Sequence, residues 1–307
     1  WSGRSALIFF MAAELATVMS AKRRFRPDLV HAHWWFPSGL ADSAVAMGKP
    51  VVTTLHGTDV RMARKIPMSR PLFARVIKRS KAVTAVSSWL AGEITDMAPG
   101  ARPIVAPMPV ATDKFAPGRS REERRFLFAG RLNEQKGLAH LLRAFAEMKE
   151  PAMLDVVGEG ACAADLRLLA SQLGVSDRVK WHGQLAQEGL VSRYQSATAV
   201  IVPSIDEGLG LVAAEALLCE TPVIAFRSGG LTDVVTDGTT GTLVTPGITS
   251  ELTAALDEVL LFPDRHRKMA RAGRDSVLSV FSPRVVAERY AGIYRSALGR
   301  SEERRVG

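Results

Sequence analysis

Val200-Ile-Val-Pro-Ser-Ile-Asp-Glu207-Gly208-Leu209-Gly210-Leu211-Val-Ala-Ala-Glu215-Ala-Leu-Leu-Cys219-Glu-Thr-Pro222-Val-Ile-Ala225 reads as a buried strand from Ala199 to Val202, a glycine-bearing loop, a helix from about Leu211 to Cys219, and a second apolar strand from Pro222. That is a βαβ step with a short crossover. Gly208 and Gly210 stand where the chain turns into the helix, so bare amide groups and the positive end of a helix dipole point at whatever lies above the strand ends. Glu207 lies at the loop and Glu215 just over one turn into the helix. An anion bearing hydroxyl groups suits both features. Surface helices commonly carry Glu near their N-termini, so Glu207 also reads as a solvated residue. Glu215 does not, because Val212, Ala213, Ala214, Ala216, Leu217 and Leu218 make the helix largely apolar and a carboxylate among them needs a partner.

Outward from this stretch the pattern repeats. Short, almost wholly apolar runs at Phe126 to Ala129, Leu154 to Val157, Val179 to Trp181, Val223 to Phe226 and Thr242 to Val244 alternate with helical stretches. An earlier set, Leu29 to Ala32, Val51 to Leu55, Ala82 to Val86 and Ile104 to Pro107, alternates with helices at about Gly39 to Met47, Arg70 to Ser80 and Ser88 to Met97. Uniformly apolar strands interleaved with helices imply parallel sheets covered on both faces. Pro107, Pro109, Pro117 and Gly118, followed by the polar run Arg119 to Arg125, read as a linker between the two sets. The expected division is 1–118, 119–282 and a closing helix with its tail, 283–307, of which Glu302 to Gly307 reads as frayed. A doubly wound domain opens on a strand and a glycine-rich turn, so a βα segment is expected upstream of Trp1.

Composition agrees with this division. The chain has 307 residues, 47% apolar and 23% charged, which is ordinary globular material for two domains. No apolar run approaches the ~20 residues of a membrane span. Ala6 to Ala13 is cut short by Glu14 and reads as a helix face rather than a signal segment. Cys162 and Cys219 form no C-x-x-C pair, and a reducing, cytoplasmic setting is expected. Charge is uneven. Residues 1–120 hold 17 Lys/Arg against 7 Asp/Glu, while the remainder is nearly balanced within a total of +9. The excess peaks from Arg61 to Lys81, where eight cations meet no acid after Asp59. Within it Leu72, Phe73, Val76 and Ile77 form an apolar stripe opposite Arg75, Lys78 and Arg79. Such a helix suits an anionic membrane surface at the inner face of the cell membrane. It equally suits a solvated face packed on its own sheet. A nucleic-acid surface finds no recognition-helix pattern and little aromatic interleaving.

Glu207-Gly-Leu-Gly-Leu-Val-Ala-Ala-Glu-Ala216, followed by Thr221-Pro-Val-Ile-Ala and Gly229-Gly230, resembles the nucleotide-sugar site of the retaining glycosyltransferases of family 4. The resemblance implies an α/β GT-B fold, two Rossmann-like doubly wound parallel-sheet domains facing a cleft, with the closing helix crossing back to the first domain. It also implies that the expected upstream segment carries the first strand and a glycine-rich acceptor loop. Donor-binding residues implied are Arg131, Lys136, Glu207, Gly208, Leu209, Gly210, Leu211 and Glu215, with Glu207 on sugar hydroxyls and Glu215 on the ribose diol. The residues themselves support part of this. In Phe126-Leu-Phe-Ala-Gly-Arg131-Leu-Asn-Glu-Gln-Lys136-Gly137 a planar guanidinium and a point charge stand five apart before a helix, which suits a diphosphate whose charge grows as it leaves.

Two further sites carry chemistry. His56, in Leu55-His-Gly-Thr-Asp59 after a buried strand, matches the histidine that similar enzymes place beside the reacting sugar; it also reads as a satisfied strand-end histidine. His31 and His33 alternate by two, but no third ligand is spaced to complete a metal site, and strand packing is the reading for both. Gly158-Glu-Gly160-Ala-Cys-Ala163 meets the G-x-G-x-x-A fingerprint of NAD(P) readers. It comes mid-domain and lacks a clear ribose carboxylate, so it reads as a tight strand-to-helix turn. No Asp-x-Asp occurs in the chain, so no metal and no cofactor are expected, and the cations with the helix N-terminus are left to stabilise the leaving group. The expected partners are a nucleotide sugar and a glycan or lipid-linked acceptor. A nucleotide-sugar-binding module without activity and a GT-B nucleotide-sugar epimerase remain the alternatives.

Overall fold

The computed structural model describes residues 3–45, 48–118 and 122–299. The polar run from Arg119 and the tail Glu302 to Gly307 therefore lie partly or wholly outside the described residues. The chain forms two compact units, residues 1–108 with 286–307, and residues 109–285.

The first unit holds a four-stranded parallel sheet, β1 (Val30–His33), β2 (Val51–Leu55), β3 (Ala82–Ala85) and β4 (Ile104–Val105), in that spatial order. β2 is buried along its whole length, which is why it reads as an unbroken apolar and threonine run. The helix Arg70–Arg79 buries Phe73, Val76 and Ile77 and carries a proline in its first turn. Its apolar stripe thus packs inward, while Leu72 stays exposed. Two features escaped the sequence reading. Trp35–Gly39 makes one π-type turn before the helix Leu40–Val45, and Thr58–Lys65, after the His56 loop, is a helix. The helix Pro283–Ala297 returns to this unit, setting Ile293, Ala297, Tyr290 and Tyr294 against Val52 and Ala106.

The second unit holds a six-stranded parallel sheet: β5 (Arg125–Ala129), β6 (Met153–Val157), β7 (Val179–Gly183), β8 (Ala199–Val202), β9 (Val223–Phe226) and β10 (Thr242–Val244). Their order across the sheet is β10-β9-β8-β5-β6-β7. The chain lays β5, β6 and β7 outward on one side, then returns through the helix Gln187–Ser196 and lays β8, β9 and β10 on the other. The direction of winding reverses between β5 and β8, the place where open α/β sheets bind ligands at the carboxyl ends of their strands. Phe126, Phe128, Phe145, Leu154, Ile201 and Phe226 are the bulky members of one continuous core. Each such side chain contributes about 1.5–3 kcal/mol by leaving water. Residues 109–118 are no loose connection. Val110 and Phe115 are buried, the Val110 amide donates to the Phe281 carbonyl, and the Phe115 ring meets Tyr194 edge-on.

Candidate functional site

Above the carboxyl ends of β5 and β8 two loops are locked together. The amide of Ile205 donates to the Gln135 carbonyl at 2.8 Å, and the Gln135 side chain donates to the Asp206 carbonyl at 3.1 Å. Gly137 makes this approach possible. It lies at φ 70°, and a Cβ on it would stand 1.9 Å from the Pro203 carbonyl oxygen. The Asn133 side chain accepts from the Lys136 amide at 3.1 Å and fixes the short turn that presents the lysine. Lys136 Nζ then meets Glu207 Oε2 at 2.6 Å, both side chains being largely shielded. Arg131 is exposed at the start of the same loop. So the structure brings Lys136 and Glu207 into contact, across the point where the winding reverses.

The Glu207 loop is held from the other side by β9. The Gly230 amide donates to the Glu207 carbonyl at 2.7 Å, and the Asp206 amide donates to Ser228 Oγ at 2.9 Å. Cβ atoms on Gly229 and Gly230 would fall 2.2 Å from the Glu207 oxygen and 2.4 Å from the Gly208 oxygen, so side chains there would force the loops apart. Gly210, at φ 96°, opens the helix Leu211–Leu218, with Leu209 buried beside it and Leu211 partly exposed. Glu215 has its partner: Tyr194 Oη donates to its Oε2 at 2.8 Å. Tyr194 is fully buried and burial raises its phenol pKa well above the usual value, which keeps it a donor. Burial also pushes the Glu215 carboxyl above the ordinary glutamate range, while the tyrosine bond pulls it back. Nothing in the local sequence pointed to Tyr194; its only signal is that it is a polar aromatic in a helix that must cover an apolar sheet.

The G-x-G-x-x-A run has a different use from the one its fingerprint suggests. Cβ atoms on Gly158 and Gly160 would sit 1.9 Å from the Gly130 oxygen and 2.3 Å from the Leu132 oxygen. Both glycines serve close approach to the β5 loop, whose Leu132 exchanges hydrogen bonds with Glu159 and Cys162.

In the first unit the histidines cluster at the ends of β1 and β2. His33 is exposed, and its Nδ1 lies 2.9 Å from His56 Nε2. Strand packing is therefore the wrong description of His33, because the last residue of a short strand has already left the sheet's covered zone. His31 is half-buried. Its ring stacks 4.4 Å from that of His33, and its nitrogens bond Tyr294 Oη and Thr54 Oγ1, each at 2.7 Å. Burial holds His31 and His56 down to about 4, so both rings are neutral at pH 7. The His56 and Gly57 amides donate to Asp59 Oδ1 at 3.0 and 2.9 Å, which closes the loop that carries the histidine. Among the described residues no group of three or more His, Cys, Asp or Glu is placed to hold a metal ion.

Beside this cluster Trp34 adopts φ 73° and ψ 141°, a region open essentially to glycine alone. Holding a tryptophan there costs on the order of 1–3 kcal/mol. Its amide donates to the Thr54 carbonyl at 2.8 Å and its carbonyl accepts from the Gly39 amide at 3.0 Å.

Comparison with known proteins bears on the family and the fold. Residues 110–276 match the family model described as glycosyl transferases group 1, and residues 4–114 match that of glycosyltransferase family 4. The MMP alpha-(1->4)-mannosyltransferase of Mycolicibacterium hassiacum is 33% identical over 91% of this chain and 73% of its own length. Among solved structures, the sucrose-phosphate synthase of Thermosynechococcus elongatus superposes with a TM-score of 0.86 at 24% identity, covering 98% of this chain and 81% of that one. HepE of Anabaena, in complex with UDP, gives a TM-score of 0.80 at 18% identity, over 92% of this chain and 82% of that one. These two share the GT-B fold.

Proposed function

We propose, from the premise that this chain belongs to the glycosyl transferases of group 1, that it moves a sugar from a nucleoside diphosphate sugar to a hydroxyl acceptor with retention of configuration and without a metal ion. The observation that carries the reading is the Lys136–Glu207 pair between the β5 and β8 loops. The C1–O bond to the diphosphate breaks as the acceptor hydroxyl oxygen bonds to C1 on the same face, and the leaving diphosphate oxygen, which gathers negative charge, takes up the acceptor's proton. Lys136 has three donor protons, so it holds Glu207 with one and offers others to the phosphate. Arg131 adds a planar fork, and the amides at Gly208, Leu209 and Gly210 with the first turn from Leu211 add the positive end of a helix. With Oε2 of Glu207 fixed by the lysine, Oε1 is free to accept from sugar hydroxyls. Glu215, anchored by Tyr194, is oriented to accept from the ribose diol. His56 is neutral at working pH and therefore acts by hydrogen bonding to a substrate hydroxyl rather than as a cation.

HepE binds UDP in its structure, which makes UDP the first probe for this chain. Calorimetric titration with UDP, GDP and ADP in the presence of a chelator is expected to show one micromolar binder. Glu215→Ala should weaken it at least tenfold. If no nucleotide binds to folded protein, the donor-site reading is wrong. Product analysis by anomeric NMR then separates transfer with retention from epimerisation, which would consume donor without an acceptor.

A second reading concerns where the enzyme works. Ile66 and Met68 are exposed next to Leu72, within the segment from Arg61 to Lys81. Apolar side chains ringed by cations suit a peripheral contact with an anionic membrane face, and through it a lipid-linked acceptor. No helix among the described residues is long and apolar enough to cross a membrane.

A further inference from the structure

At the end of the first unit's sheet opposite the histidine cluster lies a cavity of about 570 Å³. Ile77, Val83 and Ala98 give it an apolar floor, and Lys78, Lys81 and Arg102 stand exposed around it. No Asp or Glu lines it, and among the described residues the three charged heads meet no ion-pair or hydrogen-bond partner. Arg64, in the same basic segment, differs: it pairs with Glu93 at 2.8 Å.

The helices Arg70–Arg79 and Ser88–Met97 both end at this cavity, and cations near a helix C-terminus complement its dipole. Dipole complementation explains only part of the charge. Two helix ends together supply roughly one negative charge, against the three cations. Some of their carbonyls are already occupied: the Ser80 amide donates to the Val76 and Ile77 carbonyls, the Ser80 hydroxyl to that of Val76, and the Ala98 amide to that of Ile94. About two positive charges are left over an apolar floor.

That surplus selects a ligand. A phosphomonoester carries about −1.5 to −2 near pH 7 and offers three acceptor oxygens, which an arginine fork and two lysine point charges suit. Its carbon body can cover the floor. A sulfate ester or monocarboxylate brings one charge fewer, and a nucleic acid needs a track of cations rather than one enclosed cluster. The cavity opens where β3 begins, at Ala82; β3 is four residues long, so roughly 13 Å of strand separates it from the carboxyl ends that carry His33 and His56.

We propose that this cavity binds an organic phosphomonoester through Lys78, Lys81 and Arg102, at a site separate from both substrates of the transfer reaction. The test is calorimetry with phenyl phosphate, with UDP in excess to occupy the donor site. Saturable binding is expected, at least tenfold weaker in Lys81→Ala/Arg102→Ala. Phenyl sulfate, of the same shape, should bind at least fivefold more weakly. Arg75→Ala/Arg79→Ala removes equal charge from beside the cavity but not from its wall, and should keep the affinity within twofold. All four side chains are exposed, so both double variants should melt with the parent protein. No binding, or equal weakening by the two pairs, overturns the proposal, the second result because a diffuse basic field would then be responsible. If UDP itself fails to bind, the donor-site reading falls while the two variant pairs still decide this one. Phosphatidylcholine vesicles holding phosphatidic acid, or phosphatidylglycerol at equal surface charge, identify the source at about 0.15 M salt, where diffuse attraction is screened. A preference for phosphatidic acid that Lys81→Ala/Arg102→Ala abolishes makes the phosphate a lipid headgroup; phenyl phosphate binding without that preference makes it a free organic phosphate.

Discussion

Tyr194 has the most local consequence. Its hydroxyl is the only partner described for Glu215 Oε2, and it is placed by packing rather than by any motif. A typical hydrogen bond to a charged group contributes about 1.5–3 kcal/mol. Tyr194→Phe is therefore expected to leave the circular dichroism spectrum unchanged and to raise the nucleotide dissociation constant roughly tenfold. Glu215 ionises less readily without its donor, so the loss should be larger at pH 5.5 than at pH 8; an equal loss at both would separate the tyrosine from the carboxylate. The glycines give a second contrast at this scale. Gly137 and Gly174 both lie near φ 70°, but a Cβ on Gly137 meets a carbonyl at 1.9 Å while one on Gly174 meets nothing within 4 Å. Gly174→Ala should cost about 1 kcal/mol in urea unfolding and Gly137→Ala several times that. Equal costs would mean that the β5 and β8 loops can separate without penalty.

At the scale of strands and helices the sequence was most legible. Among the described residues the strands follow apolar runs, most completely in β2, β8 and β9, which are buried along their whole length, and least in the short edge strand β4, where Ile104 is exposed; the reversal between β5 and β8 follows from chain order once the sheet is drawn. The helix Thr58–Lys65 was not legible. Its segment is short and basic, with only Asp59, Val60 and Ala63 buried, and its first turn is set by Asp59 reaching back to His56. Nor could pattern alone reveal the histidine cluster, since His33 and His56 meet through the register of β1 on β2. That cluster makes a pH prediction. His31 and His56 are held down to about 4 and His33 is lowered in the same sense, so as pH falls from about 6.5 the unfolded chain takes up protons first. Stability contributed by these rings is complete above about pH 6.5 and is lost toward pH 4. Asp42 opposes this. It is pushed up to about 6 by burial and by Glu14, so its protonation in the folded state stabilises over much of the same interval. Burial raises Asp59 and Glu215 in the same sense as Asp42 and lowers His140 and His266 in the same sense as the cluster, so five lowered rings face three raised carboxyls, and Asp42→Asn, which removes one of the offsets, should steepen the loss. A shallower slope in that variant would contradict the assignment.

Across the whole molecule charge is segregated. Residues 1–120 carry a net +10 and the rest a net −1. Net charge governs association rather than fold. Liposomes containing anionic lipid should retain the protein at low salt and release it as salt rises, and removing Lys65, Arg70 and Arg75 together should abolish retention while nucleotide binding persists. Retention by neutral liposomes, or none by anionic ones, would dismiss the membrane reading.

The return of the helix Pro283–Ala297 to the first unit has a bearing on how the chain is made. The sheet of that unit leaves the ribosome early, yet the side chains that complete it, Tyr290, Ile293 and Tyr294, follow only after the entire second unit. At about 5–20 residues per second, that delay is roughly 10–40 s. During it, the faces of β2 that Ile293 and Tyr290 later cover must be shielded by other means. The second unit, continuous in sequence, is free to finish folding first. The nascent chain is thus able to complete its six-stranded unit before its histidine-bearing one, reversing the order in which the two begin.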